Sequence, residues 1–285
     1  MTNILLVEDD PGIVANLTEF LKREGFSITA ASGQTKAMEL LMEDNPPFDL
    51  LLLDVSLSDG NGFSICAAVK AKMSIPVIFL TASGDEYSVV TGLDLGADDY
   101  IPKPFRPREL ISRINWLIES MLKMAKMDAG TAYLKPEIIP VEQLLAKALE
   151  PLLIPLELRG VNLVQSCEKV EILCDLSLTT EAVLNILKNC MEHTPSDGEI
   201  HITTISTALY TQITIEDTGS GFDKEDLPHL FERFYKGKDA SSQSVGIGLA
   251  LSRMIFGAQN ATVKAENSPD GGARFLIRFY REQAV

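Results

Sequence analysis

Five short apolar runs, each followed by a segment with helical periodicity, constrain the fold of the first 115 residues more than any other feature. Most residues in these runs are apolar, which is typical of strands buried on both faces of a parallel sheet. The predicted strands are residues 4–7, 26–30, 49–55, 75–80 and 98–101, and the predicted helices are residues 12–24, 34–44, 62–71, 86–95 and one that starts near Pro107. The pattern predicts a doubly wound α/β domain, whose ligand site lies beyond the carboxyl ends of the strands.

After Pro136 the pattern changes to helices and strands in a mixed order. The expected helices are 141–158, 178–193 and 246–257, and the expected strands are 161–166, 170–174, 200–206, 210–217, ATVKAEN and ARFLIRFY, the last two joined by the turn SPDGG. This mixture predicts a two-layer α/β sandwich. Because 285 residues suffice for two domains, we expect one domain over 1–115, a helical linker over 116–136 and a second domain over 137–285.

A single helix is predicted over residues 107–129, because neither glycine nor further proline interrupts this stretch. Apolar residues repeat along it at alternating spacings of four and three, namely Leu110, Ile114, Leu117, Met121 and Met124, and the stripe is widened by Ile111, Ile118 and Ala125. This heptad-like seam predicts a homodimer paired through the helix. Because the seam covers only about two heptads, the alternative is one amphipathic helix packed on its own domain.

The charge balance argues against a nucleic-acid binder. The chain has 25 Lys and Arg against 40 Asp and Glu, a formal net charge of -15, and so acidic a protein does not attract phosphate backbones. The four cysteines lack C-x-x-C spacing, so we expect reduced thiols. Neither a membrane span nor a signal peptide is predicted, and the cytoplasm is the expected compartment.

Acidic residues follow two of the predicted strands. Glu8 and Asp9 come after the first strand, and Asp54 ends the third. These strands are neighbours at the switch point of a doubly wound sheet, so the carboxylates should converge, and Mg²⁺ is the cation that suits them. Thr81 and Lys103 follow the fourth and fifth strands. The combination predicts that Asp54 accepts a phosphoryl group, whose charge Mg²⁺ and Lys103 neutralise.

Residues 1 to about 115 contain the motifs LLVEDD, LLLDVSLSDGNGF, FLTA and GADDYIPKPF, and they resemble the receiver domains of bacterial two-component response regulators. The resemblance implies a flavodoxin-like (βα)5 fold. It also implies that Glu8 and Asp9 are the acidic pair and that Asp9 and Asp54 ligate Mg²⁺ directly. The backbone carbonyl of Ser56 would complete the protein's share of the coordination.

The same resemblance assigns a switch that responds to phosphorylation to Thr81 and Tyr100. It further implies that the peptide bond between Lys103 and Pro104 is cis. Pro102 departs from the family, which more often has a polar residue there. We expect Pro102 to stiffen the loop without abolishing the chemistry.

Three segments of the second half combine amides, a carboxylate and glycines: Asn185 with Asn189, Asp217 with Gly219 and Gly221, and Gly246 with Gly248 and Leu249. Asparagines four residues apart face one side of a helix, and glycines after a strand permit close backbone approach to a ligand. A glycine-rich helix N-terminus attracts phosphate. Each signal is weak alone, but their order and spacing form a strong pattern.

Residues 137 to about 280 contain the motifs NILKNCMEHTP, DTGSGF, LFERFYKG and GIGLALSRMI, and they resemble the ATP-binding domain of sensor histidine kinases, in the wider group shared with gyrase and Hsp90. The resemblance implies an α/β two-layer sandwich that binds ATP. Asn189 would ligate the Mg²⁺ of the nucleotide, and Asp217 would accept a hydrogen bond from the adenine amino group. Gly219 and Gly221 would let the backbone lie against the base.

The resemblance also implies that Gly246 and Gly248 approach the phosphates. Residues 236–245 are small and polar without periodicity, as expected of a lid that nucleotide orders, and Lys236 is the expected phosphate contact within it. Glu192 departs from the lysine frequent at its position in the family, which removes one positive charge near the phosphates.

The positions of the three histidines bear on function. A sensor kinase carries its phosphoacceptor histidine on a helical hairpin before the nucleotide domain, whereas His193, His201 and His229 all lie within that domain. Residues 116–136 resemble only the end of such a hairpin. Two functions remain open: a signalling protein that couples the state of Asp54 to an ATP-binding kinase domain and works with a partner kinase or phosphodonor, or a natural or engineered chimera that binds ATP and dimerises without phosphotransfer. In both cases we expect no autokinase activity in isolation.

Overall fold

The computed structural model describes residues 1–43, 46–73, 75–82, 97–235, 246–269 and 271–281. The chain forms two compact units, of which the first ends at Leu122 and the second begins at Lys123. Each unit has its own five-stranded sheet. Over the described ranges, no helix combines the length and the apolar composition that crossing a bilayer requires.

The first unit has a parallel sheet at its centre. Its strands are β1 (Asn3–Val7), β2 (Ser27–Ala31), β3 (Leu50–Asp54), β4 (Ser56–Leu57), β5 (Gly60–Asn61), β6 (Val77–Ala82) and β7 (Asp99–Lys103). The five longer strands are parallel in the order β2-β1-β3-β6-β7, which is the flavodoxin-like order and confirms the predicted fold. The short strands β4 and β5 form a separate hairpin.

The helices of the first unit follow the predicted pattern. They are α1 (Pro11–Arg23), α2 (Gln34–Leu41), α3 (Gly62–Lys70) and α4 (Pro107–Asp128), while the helix predicted at 86–95 lies outside the described residues. Asp10 fixes the start of α1, because its carboxylate accepts hydrogen bonds from the amides of Gly12 at 2.7 Å and Ile13 at 3.0 Å. Leu50–Leu53 are completely buried, and each contributes about 1.5–3 kcal/mol relative to an exposed side chain.

Helix α4 is uninterrupted, as predicted. The seam side chains that are buried within the single chain are Leu110, Ile114, Leu117 and Met124. They are covered without a second copy, so these positions favour the alternative of an amphipathic helix packed within its own chain. The seam residue Met121 and the widening positions Ile111 and Ile118 are half-buried, and the widening position Ala125 is exposed. Leu122, which is not part of the predicted stripe, is exposed as well.

The second unit has a mixed sheet. Its strands are β8 (Glu137–Pro140), β9 (Asn162–Ser166), β10 (Glu171–Cys174), β11 (Glu199–Ser206), β12 (Tyr210–Asp217), β13 (Ala261–Asn267) and β14 (Ala273–Tyr280). The main sheet has the order β13-β14-β12-β11-β9, antiparallel except for the parallel pair β9 and β11. The sequence pattern does not predict β8, which pairs with β10 in a separate two-stranded sheet.

The helices of the second unit are α5 (Val141–Leu149), α6 (Leu153–Arg159), α7 (Leu176–His193) and α8 (Gly248–Gly257). The single helix predicted at 141–158 is wrong in one respect: a 3-10 turn at Glu150–Leu152 divides it, where Pro151 has no amide hydrogen to donate. Helices α7 and α8 pack on each other, α7 against β12 and α8 against β13. One helical layer on one sheet confirms the two-layer sandwich.

Candidate functional site

The first candidate site lies at the carboxyl ends of β1 and β3, which are hydrogen-bonded neighbours with Val7 opposite Leu53. Glu8 and Asp9 follow β1, and Asp54 ends β3. One carboxylate oxygen from each of these three residues lies within 4.8 Å of the other two. Oxygen atoms so spaced suit a divalent cation that keeps some coordination positions for water or phosphate, so the residues fit the predicted Mg²⁺.

Lys103, at the end of β7, bonds two of these carboxylates. Its Nζ atom donates to Asp54 Oδ2 at 2.8 Å and to Glu8 Oε2 at 2.6 Å. Burial raises the pKa of the Glu8 carboxyl group despite the opposing effect of Lys103. Burial acts to lower the pKa of Lys103, but the hydrogen bonds to Asp54 and Glu8 outweigh it and leave that pKa raised. Lys103 is therefore a cation held beside Asp54 and Glu8.

Backbone groups of the loop after β3 fix the same carboxylates. The Ser58 amide donates to Asp9 Oδ2 at 2.9 Å, and the Ser56 amide lies 3.4 Å from Asp54 Oδ1. Gly62 is absent from the predicted site, yet a Cβ atom at this position would lie 2.2 Å from the main-chain oxygen of Asp54. The motif DGNGF carries the relevant signal, since a glycine that opens a helix permits close approach of another backbone.

The two predicted switch residues lie on adjacent strands, Thr81 on β6 and Tyr100 on β7. Thr81 is buried, whereas Tyr100 is half-buried against the core of the first unit. The peptide bond between Lys103 and Pro104 is cis, as the resemblance implies. The switching role of Thr81 and Tyr100 stays a prediction.

Two acidic residues at the start of β7, Asp98 just before it and Asp99 as its first residue, have structural partners that the motif GADDYIPKPF does not reveal. Asp98 is completely buried and accepts a hydrogen bond from Lys70 Nζ at 2.7 Å, and burial raises the pKa of its carboxyl group. Asp99 receives Arg113 Nη1 on both of its oxygens, at 3.0 and 3.1 Å. These pairs connect the strand that ends in Lys103 to α3 and α4.

The second candidate site centres on Asp217, the last residue of β12, which is only 1% exposed. Its Oδ1 atom accepts hydrogen bonds from the amides of Gly219 at 2.9 Å and Ala273 at 3.1 Å. Its Oδ2 atom is buried and has no hydrogen-bond partner within the described part of the chain. Since an unpaired buried acceptor is costly, this atom fits a ligand that brings its own donor, such as the amino group of adenine.

Helix α7 supplies one wall of the site. Asn185 and Asn189 lie one turn apart and are both half-buried, and Asn185 Nδ2 donates to the Gly248 carbonyl oxygen at 3.3 Å. Cys190 is completely buried on the same helix, and burial, followed by the nearby Asp217 carboxylate, raises the pKa of its thiol well above the usual value. This wall therefore presents the half-buried amides of Asn185 and Asn189, whereas the neutral Cys190 thiol is enclosed in the core.

Several glycines allow backbone contacts that a side chain would block. A Cβ atom at Gly219 would lie 2.5 Å from a main-chain oxygen of α7, and Gly221 and Gly246 have φ angles of +74° and +73°, which favour glycine. Gly272 is absent from the predicted site, although a Cβ atom there would lie 1.8 Å from the Asp217 main-chain oxygen. The sequence SPDGG signals a turn but not its proximity to Asp217.

The second glycine motif begins α8 as predicted, with Gly248 as its first residue and Leu249 half-buried in the first turn. Lys236 and the predicted lid at 236–245 lie outside the described residues. The structure therefore brings Asn185 against Gly248, and Asp217 against Gly219 and Gly272, while Asn189 lies one turn after Asn185 on α7.

The chain combines a flavodoxin-like domain, which has converging carboxylates and a lysine, with a two-layer α/β sandwich of the nucleotide-binding kind. This combination defines a class, the proteins of two-component signal transduction. Residues 4–115 match the response regulator receiver domain family. Residues 174–283 match the family of histidine kinase-, DNA gyrase B- and HSP90-like ATPases. The chain therefore contains a receiver domain and a histidine-kinase-type ATPase domain, the domain types of two-component signalling.

Similar curated proteins cover the receiver half. The transcriptional regulatory protein CpxR of Escherichia coli (strain K12) is 45% identical over 118 residues, which are 41% of this chain and 50% of that protein. The DNA-binding response regulator MtrA of Mycolicibacterium smegmatis is 41% identical over 111 residues, which are 39% of this chain and 48% of that protein. The chain thus spans about half the length of the curated relatives it matches.

Among solved structures, the histidine kinase AdeS of Acinetobacter baumannii aligns with a TM-score of 0.53 at 15% sequence identity. The alignment covers 78% of this chain and 94% of AdeS. At this identity the likeness concerns the fold alone.

Proposed function

We propose that the chain accepts a phosphoryl group on Asp54, binds Mg-ATP in its second domain, and has no phosphoacceptor histidine of its own. The observation that carries this proposal is the meeting of Glu8, Asp9, Asp54 and Lys103 at one end of the parallel sheet. A three-carboxylate cluster bonded to a lysine serves no evident packing purpose in a domain whose core is already apolar. It suits the arrival of a charged group.

In the proposed reaction, one carboxylate oxygen of Asp54 forms a bond to phosphorus while the bond from phosphorus to the donor's leaving group breaks. Glu8, Asp9, Asp54 and the Ser56 carbonyl would hold Mg²⁺, which supplies positive charge near the transferred oxygens. Lys103 already touches Asp54 Oδ2. It would exchange part of that contact for an oxygen of the phosphoryl group, so positive charge stays beside the site throughout.

The ATP proposal is supported by the unpaired Oδ2 atom of Asp217, which would accept a hydrogen bond from the adenine amino group. Asn185 and Asn189 on α7 would face the phosphates and their Mg²⁺. Gly246 and Gly248 would let the start of α8 approach the phosphate oxygens. Lys236 would add the positive charge that Glu192 does not provide.

Each of the three histidines belongs to the ATPase domain. His193 ends α7, His201 lies in β11 beside Glu199 at 2.9 Å, and His229 Nδ1 lies 2.9 Å from Glu232 Oε1. None lies on a helix that precedes the nucleotide domain. The proposed protein therefore acts with a partner, as a source or an acceptor of phosphate; the second candidate is a chimera that binds ATP without phosphotransfer.

Incubation with γ-labelled ATP and Mg²⁺ tests these proposals, first with the chain alone and then with a separate kinase dimerisation hairpin that contains a histidine. We expect no acid-labile phosphohistidine on the chain alone and labelling of the added hairpin. Labelling of neither protein, with ATP bound, would favour the chimera. Phosphohistidine on the chain alone would overturn the proposed lack of a phosphoacceptor.

We also propose a homodimer formed along α4, on different positions from the predicted seam. Because Leu110, Ile114, Leu117 and Met124 are covered within the chain, pairing would use a partly exposed stripe of the same helix. That stripe consists of Ile111, Ile118, Leu122 and Ala125.

A further inference from the structure

The last turns of α4, from Lys123 to Asp128, belong to the second unit and carry two ion pairs that neither candidate site explains. Lys123 Nζ contacts both carboxylate oxygens of Glu181, at 2.7 and 2.8 Å. Asp128 Oδ2 accepts a hydrogen bond from Arg233 Nη2. One short stretch of helix therefore holds two separate elements of the ATPase domain by charge.

The first pair leads to the amides of the nucleotide site. Glu181 lies on α7 one helical turn before Asn185 and two turns before Asn189. A helix is stiff along its axis, so a displacement at Glu181 moves the two asparagines with it. Lys123 is thereby connected to the wall of the site that carries the amide groups.

The second pair leads to the glycine motif at the start of α8. Arg233 precedes Phe234, whose amide donates a hydrogen bond to the Gly246 carbonyl oxygen at 3.0 Å. Arg233 Nη2 also lies 3.4 Å from the sulfur of Met254 on α8. Asp128 is thereby connected to the side of the site that would face the phosphates.

We propose that Lys123 and Asp128 are positioning residues for nucleotide binding. Their ion pairs hold α7 and Arg233 in the positions at which the site binds ATP, and so set the nucleotide affinity. The inference rests on the proposed ATP binding and adds a role for the end of α4. Neither residue is among the proposed nucleotide contacts. Both act through their partners, so the affinity of the site follows the placement of the last turns of this helix.

The expected effect is modest, because all four side chains are partly exposed. Side-chain exposure is 36% for Lys123 and 26% for Glu181, and it is 44% for Arg233 and 53% for Asp128. Ion pairs with such solvent access contribute little, and we expect charge reversal of one partner to weaken Mg-ATP binding by about two- to five-fold. Salt screens such pairs, so the difference should shrink at high ionic strength.

Titration calorimetry with Mg-ATP on the full chain tests the proposal through charge swaps. Lys123→Glu should weaken binding, and the double variant Lys123→Glu with Glu181→Lys should restore it; Asp128→Arg and its double variant with Arg233→Asp should behave in the same way. The matched control is Lys126→Glu, which makes the same charge change on the same helix. The Lys126 side chain has no ion pair among the residues described, and its variant should bind ATP like wild type.

A purely stabilising role predicts a different result: thermal unfolding without nucleotide would shift, while the folded variants would keep the wild-type affinity. Unchanged affinity in both single variants overturns the proposal, and so does a loss that the swaps fail to restore. If the wild type itself does not bind Mg-ATP, the proposed function fails and this inference falls with it. If the wild type binds and the swaps have no effect, only the positioning role is lost.

Discussion

Asp54 and Asp217 occupy equivalent places in two unrelated sheets. Each ends the middle strand of its five-stranded sheet, β3 in the first unit and β12 in the second. Each also has a glycine packed against its main-chain oxygen, so that a Cβ atom at Gly62 would lie at 2.2 Å and one at Gly272 at 1.8 Å. The main chain is therefore packed against a glycine in the same way at both aspartates.

The side chains differ in what surrounds them. An Asp54 oxygen is bonded to the ammonium group of Lys103, within reach of two further carboxylates. Asp217 has two backbone donors on one oxygen and no partner within the described residues on the other. A site with a cation suits a ligand that brings negative charge, whereas an unpaired acceptor suits a neutral donor. The comparison teaches that charge pairing, more than strand position, decides the chemistry of each aspartate.

The largest expected effect follows from removing the nucleophile. Asp54→Asn should abolish labelling by a small phosphodonor with Mg²⁺, because an amide is a poor nucleophile. The matched control is Asp10→Asn, which changes a carboxylate close in sequence but keeps a good N-cap for α1. The control should label like wild type. Base-labile label that persists in Asp54→Asn would place the phosphoacceptor elsewhere.

The next effect concerns the unpaired oxygen of Asp217. In Asp217→Asn, the remaining oxygen can still accept from Gly219 and Ala273, but an NH2 group replaces Oδ2 and faces the adenine amino group. Two opposed donors should weaken ATP binding by about 1–3 kcal/mol. Titration calorimetry measures this loss, with Glu216→Gln as a neighbouring carboxylate control that lies outside the proposed contact. An ATP affinity equal to that of wild type in Asp217→Asn would contradict the adenine assignment.

The sequence predicts the side chains of the two candidate sites better than it predicts the residues that pack against them. Apolar runs and motif order are local signals, and they predict both folds and give Asp54, Lys103, Asn185 and Asp217 as candidate site residues. The sequence does not predict the position of Gly272 against Asp217, because the two residues are 55 positions apart and only the pairing of β12 with β14 brings them together. Strand β8 is not predicted for a related reason: its four residues after a proline carry too little periodicity to indicate pairing with β10.

The sequence also does not show that the seam of α4 is buried within the chain. A repeat of Leu110, Ile114 and Leu117 has the same spacing whether the partner is a second copy or the chain's own domain. Periodicity identifies an apolar face but not what covers it. The structure decides this for the buried positions, which are covered without a second copy.

Glycine substitutions test whether the close glycine contact with the main chain of Asp54 matters for stability. Gly62→Ala introduces a Cβ atom against the main chain of Asp54, and we expect it to destabilise the receiver domain by about 1–3 kcal/mol. The matched control is Gly257→Ala at the end of α8, where a Cβ atom meets nothing within 4 Å. This control should be neutral or stabilising by about 0.4–1 kcal/mol. Urea unfolding of both variants measures the contrast, and equal stabilities would show that the close contact at Asp54 is not limiting.

The smallest expected effect concerns association along α4, where the partly exposed stripe is short. Replacing Ile118 and Leu122 with lysine places like charges on that stripe at little cost to the folded monomer, because Ile118 is half-buried and Leu122 is 57% exposed. Light scattering at tens of micromolar should then show a lower mass than for the wild type, since two heptads give only a weak pairing surface. Leu117→Lys is the informative contrast: its side chain is completely buried, so this change should lower the unfolding temperature of the receiver domain rather than only the mass. A wild-type protein that is monomeric under these conditions would end the pairing hypothesis, while the continuous helix and its two ion pairs to the ATPase domain would be unaffected.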